Sequence, residues 1–135
     1  MPSIPPRFIL AALALCVSAL GAHAASYDFL AAPETDLNRV YRLDRATGEI
    51  SVCQYGLNPG KTDIGPGFFG VTVCYPPGEG AGPQGSSEYS LVASHHEREG
   101  GVFRVDLRSG AMSICYVYTS SAGGEGQVVC TPPGR

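Results

Sequence analysis

The groups best placed to do chemistry are few. Cys53, Cys74, Cys115 and Cys130 are spaced 21, 41 and 15 residues apart, with no Cys-x-x-Cys pair among them. That spacing suits two disulfides and is a poor fit to structural zinc, which draws on closely spaced ligand pairs. His95 and His96 stand where any metal or general-base chemistry would have to start. Adjacent residues of an extended stretch point apart, which makes the two poor joint ligands, so no metal is expected. No serine sits in a Gly-x-Ser-x-Gly elbow. The chain is therefore read as no enzyme and as needing no cofactor. A hydrolase or metal-dependent enzyme using the His95-His96 loop and its neighbouring acids is the catalytic alternative.

Two carboxylates recur in a fixed setting. Asp44 to Gly48 and Asp106 to Gly110 both place Asp first and Gly last over five residues. Asp accepts hydrogen bonds from turn amides, and Gly takes the positive φ of a type I turn with a bulge. Asp44, Gly48, Asp106 and Gly110 are thus expected to be turn residues rather than a catalytic pair. The candidate binding groups are Phe68 and Phe69, adjacent aromatics in the glycine-rich stretch from Gln54 to Gly70, together with Arg42 and Arg104.

These residues need elements to hold them, and the first of the chain's segments is not one. Arg7 precedes an apolar run from Phe8 to Leu20, followed by Ala22-His23-Ala24. Residues 1–24 read as a signal peptide cleaved after Ala24, leaving 111 residues of net charge −4 in an oxidising compartment, the periplasm or the exterior. No stable membrane insertion is expected after cleavage. The whole chain has 135 residues, is 44% hydrophobic and 16% charged, and carries net charge −3. A single domain fits that length, and the mild negative balance gives no footprint for nucleic acid.

Residues 25–135 contain a duplication. Shifted by 62 residues, Ser26 to Cys53 aligns without a gap on Glu88 to Cys115, with eight of 28 positions identical. They include Tyr27/Tyr89, Val40/Val102, Arg42/Arg104, Asp44/Asp106, Gly48/Gly110 and Cys53/Cys115. After a length difference the match resumes, with Val73-Cys74-Tyr75-Pro76-Pro77-Gly78 against Val129-Cys130-Thr131-Pro132-Pro133-Gly134. Repeat one spans 26–78 and repeat two 88–134. The glycine-rich stretch 79–87 reads as a flexible, solvated linker that lacks the strand-to-helix context of a phosphate cradle.

Each repeat reads as four short strands, and no segment sustains a 3.6-residue apolar period. The expected strands are Tyr27 to Ala32, Arg39 to Asp44, Glu49 to Tyr55 and Val71 to Tyr75. Their counterparts are Tyr89 to Ser94, Gly101 to Asp106, Ala111 to Tyr118 and Gln127 to Thr131. Within them, Cys53 with Cys74 and Cys115 with Cys130 would staple third strand to fourth, a cross-copy pairing being the alternative. Alternation gives each sheet one apolar face and one mixed face. Tyr41, Leu43, Ile50 and Val52 oppose Val40, Arg42, Ser51 and Cys53. Phe103, Val105, Met112 and Ile114 oppose Arg104, Ser113 and Cys115. The fold class is all-β, two tandem four-stranded antiparallel repeats packed as a small β-sandwich, since a two-layer sandwich needs one apolar face per sheet.

Val40-Tyr41-Arg42-Leu43-Asp44-Arg45-Ala46-Thr47-Gly48-Glu49-Ile50 resembles the inner hairpin of a quinoprotein-type (PQQ-like) β-propeller repeat, and Val102 to Met112 is a looser second example. The resemblance implies an alternative architecture, two propeller-like blades per chain that oligomerise into a ring with ligand sites between blades. Small secreted sugar-binding proteins are similar to that plan. The function expected is that of an exported, disulfide-stabilised module with a binding or structural role. Its partner is an unknown protein or a glycan.

Overall fold

The computed structural model describes residues 26–56 and 70–134. The leader and the Phe68-Phe69 pair lie outside the described residues. Eight strands follow in order: β1 (Tyr27–Ala31), β2 (Arg39–Asp44), β3 (Ile50–Gly56), β4 (Val71–Tyr75), β5 (Tyr89–Val92), β6 (Val102–Asp106), β7 (Met112–Tyr118) and β8 (Gln127–Cys130). They form two antiparallel meanders, β1-β2-β3-β4 and β5-β6-β7-β8, one per repeat, and no helix occurs among the described residues. Val, Ile, Tyr and Phe dominate the strand interiors, where β-branched and aromatic side chains pack well on a pleated surface. Cys53 opposes Cys74 and Cys115 opposes Cys130 as direct cross-strand partners, and each pair is a disulfide within its own repeat.

The two sheets pack as a sandwich, but they do not turn equivalent faces inward. In sheet one the apolar face is buried: Tyr41, Leu43, Ile50 and Val52 are each 0% exposed. In sheet two the buried face is the mixed one, with Val102, Arg104, Ser113, Cys115, Val128 and Cys130 all buried. Met112, expected in the core, is instead 47% exposed, and Phe103, Val105 and Ile114 are only partly buried. The expectation that both sheets bury their Phe/Ile-type face is therefore corrected for repeat two. The reason is that the repeats stack front to back, the apolar face of sheet one on the mixed face of sheet two, rather than apolar face to apolar face.

The segment between the repeats is also more than a free spacer. Leaving β4, the chain runs beside β8: the Val128 amide donates to the Pro76 carbonyl at 2.9 Å, and the Gly78 amide donates to Val128 at 2.7 Å. The Cys130 amide then donates to the Glu79 carbonyl at 2.9 Å. This strap covers the otherwise open edge of β8, which would present unpaired backbone groups. Further on, Ala81 is fully buried, and its carbonyl accepts the Ile50 amide. Within the expected solvated linker, Glu79 thus pairs with the edge of β8 and Ala81 is a core residue.

Candidate functional site

At the β2–β3 turn, Asp44 Oδ1 accepts the amides of Ala46 and Thr47 at 2.8 and 3.1 Å. At the β6–β7 turn, Asp106 Oδ1 accepts those of Arg108 and Ser109 at 2.9 and 3.2 Å. Gly48 and Gly110 close these turns at φ 73° and 74°. Asp106 also accepts the Ser87 hydroxyl at 2.6 Å, and that bond, followed by the turn amides, holds its carboxyl well below the usual carboxylate range. Both carboxylates are occupied in shaping turns.

The two arginines, equivalent in sequence, have different fates. Arg104 is 5% exposed; its Nη1 donates to the Gly48 carbonyl at 3.0 Å and its Nη2 to Ser113 Oγ at 3.5 Å. Burial lowers its pKa, and neighbouring Tyr89 offsets part of that. Gly48 itself packs on the Tyr89 ring, since a Cβ there would lie 3.1 Å from three ring atoms. Arg104 is thus part of the contact between the sheets. Arg42 is exposed: its Nε donates to Ser51 Oγ at 3.0 Å, and its guanidinium carbon lies 5.3 Å from the Tyr27 ring centroid.

Other groups bridge the sheets. Asp28 Oδ2 accepts the Ser90 hydroxyl and the Leu91 amide at 3.0 and 3.1 Å. Tyr41 Oη donates to the Gly100 carbonyl at 2.7 Å. Burial pushes the Tyr41 phenol up to about 12, with Arg39 opposing. His95 and His96 lie on an exposed turn in which the Arg98 amide donates to His96 Nδ1 at 3.3 Å. That bond spends one imidazole nitrogen on the turn itself. No group of three or more His, Cys, Asp or Glu side chains placed to hold a metal occurs among the described residues.

What the fold leaves open is a pair of sheet faces. The face of sheet one away from the core carries Tyr27, Phe29, Val40 and Tyr55, exposed by 46, 61, 43 and 57%, around Arg42. The strand register joins them, Phe29 opposing Arg42 and Arg42 opposing Ser51. The face of sheet two away from the core carries Val92, Met112, Tyr116 and Tyr118, exposed by 39 to 50%. Tyr116, Tyr118, Val129, Thr131 and Pro132 line an open hollow of about 320 Å³ there. Large exposed apolar side chains grouped on one face mark interaction surfaces more often than scattered ones do. Sequence reasoning singled out Arg42 on this surface and missed Tyr27, Phe29 and Tyr55. Alternation with Arg42 through the β1–β2 and β2–β3 registers was the signal that could have found them.

The chain matches no protein-family model, no curated protein and no solved structure.

Proposed function

We propose that this chain is an exported, disulfide-stapled β-repeat module that works by non-covalent recognition, with the open face of sheet one as its recognition surface. One observation carries the reading: Tyr27, Phe29 and Tyr55 are exposed on the same strand-built face as Arg42, with the guanidinium 5.3 Å from the Tyr27 centroid. Aromatic residues and arginine are the side chains that carry most binding energy at protein contacts. A group of aromatic side chains and an arginine on one open sheet face fits a protein partner. Paired cysteines and the two turn-bound aspartates support a non-catalytic role. The disulfides fit an oxidising compartment, and the leader at residues 1–24 supports export to the periplasm or beyond.

The test is an amide and aromatic NMR titration of the oxidised protein, with unlabelled protein of the same sequence and with a glycan panel as probes. Shift changes grouped on Tyr27, Phe29, Arg42 and Tyr55 are expected. Changes grouped on His95 and His96 upon adding zinc, with the sheet-one face unmoved by every probe, would contradict the reading.

A further inference from the structure

The open faces are the two halves of a contact that the molecule already contains once. Inside, the apolar positions of repeat one, such as Leu43 and Ile50, lie against the mixed positions of repeat two, such as Val102 and Arg104. The repeats align without a gap across these strands. Repeat two therefore turns its own apolar positions outward, and repeat one its own mixed positions. We infer that the partner of each open face is a second copy of this chain, docked head to tail, with sheet two of one copy stacked on sheet one of the next. This rests on reading the open face of sheet one as a recognition surface, and it names the occupant.

The contact at the glycine turn transfers position by position. Inside, the Gly48 turn lies on the Tyr89 ring and gives its carbonyl to Arg104. Outside, Gly110 has nearly the same φ, 74° against 73°, with nothing within 4 Å of where a Cβ would be. The equivalent ring and cation, Tyr27 and Arg42, lie exposed and already stacked. Between copies, Gly110 would rest on Tyr27 and Arg42 would donate to the Gly110 carbonyl. The strap itself is not repeated: Pro76-Pro77-Gly78 runs beside β8, whereas Gly134 of the second Pro-Pro-Gly pairs in both directions with Met112 of its own sheet.

Chemistry disfavours like-on-like pairing. Two sheet-one faces brought together across a two-fold axis would put two Arg42 cations into one contact while leaving the Gly110 turn of each copy without its ring. Front-on-back stacking avoids this and is heterologous, so added copies close a ring or extend into a longer array.

Two substitutions at exposed positions separate the faces. Arg42→Glu blocks the sheet-one face and Met112→Arg the sheet-two face, and circular dichroism with intact disulfides verifies the fold of each. Sedimentation velocity of the mature, oxidised wild type should show assemblies larger than a monomer, and each variant alone should be monomeric. An equimolar mixture of the two variants should give a dimer and nothing larger, because each supplies the one face that the other lacks. A monomeric wild type over a wide concentration range overturns the inference. So does a dimer that survives in either single variant. If the wild type is monomeric yet glycan binding shifts Tyr27 and Arg42, self-docking fails while the recognition reading stands. If nothing binds that face, both fail.

Discussion

Arg104 of repeat two donates to the carbonyl of Gly48 of repeat one at 3.0 Å, and the same Gly48 lies on the ring of Tyr89. One turn of the first sheet is thus held by a cation and an aromatic ring of the second. The sequence-equivalent cation, Arg42, holds no such turn among the described residues.

Replacing the two arginines should have unequal consequences. Arg104→Met leaves a buried carbonyl and Ser113 without their donor and should lower the free energy of unfolding by about 2–3 kcal/mol. Arg42→Met removes an exposed side chain and should cost less than about 1 kcal/mol in the isolated chain. Urea unfolding of dilute, oxidised protein checks both.

The turn glycines provide a second contrast. Both occupy the left-handed region, so alanine at either costs about 1–2 kcal/mol from backbone strain. At Gly48 the new methyl also meets the Tyr89 ring at 3.1 Å, whereas at Gly110 it enters open space. Gly48→Ala should therefore destabilise the dilute chain more than Gly110→Ala, as read from paired thermal melts.

The disulfides should open in a fixed order under reductant. Cys115 and Cys130 are 0% and 7% exposed, while Cys74 lies on the open face. Timed alkylation and mass spectrometry should find Cys53 and Cys74 labelled first. Removing either pair by serine substitution should cost about 3 kcal/mol, since the loops closed are of similar length, 21 and 15 residues.

Stability should depend on pH at both extremes. The Asp106 carboxyl is held below its unfolded value, first by the Ser87 hydroxyl. Its contribution is complete above about pH 4 and fades as pH falls through the folded value. Asp106→Asn should remove that part of the acid dependence. Tyr41 behaves in the opposite sense. Its folded pKa is raised to about 12 by burial, so its contribution is complete below the unfolded value and is lost as pH rises toward 12. Tyr41→Phe should flatten that alkaline loss in the same unfolding series.

All eight strands were legible because each is bounded by a Gly, Pro or Asp turn and alternates over four to seven residues. The intra-repeat disulfides followed from the same alignment. The direction of sheet two was not legible from alternation, since both repeats share one pattern of apolar and mixed positions. The differences between the repeats carried that information. Tyr55 and Thr72 on the open face become Val117 and Val128 in repeat two, and Val128 is fully buried. Gln54 on the inner side becomes the exposed Tyr116. Aliphatic substitution marks the covered face, an inference that needs the register of β3 with β4 and of β7 with β8. The strap beside β8 left no sequence signal beyond the repeated Pro-Pro-Gly, because backbone pairing of a non-strand segment depends on where the other sheet ends.

The central claim is that one contact, a glycine turn resting on a tyrosine ring beside an arginine, is made inside the chain and again between chains. Proton NMR reads it directly through the ring current of each tyrosine. The Gly48 Hα resonances should lie upfield in both wild type and Arg42→Glu, because Tyr89 belongs to the same chain. The Gly110 Hα resonances should lie upfield in wild type and return to ordinary glycine positions in Arg42→Glu. Gly110 resonances that are identical in the two proteins would contradict the account.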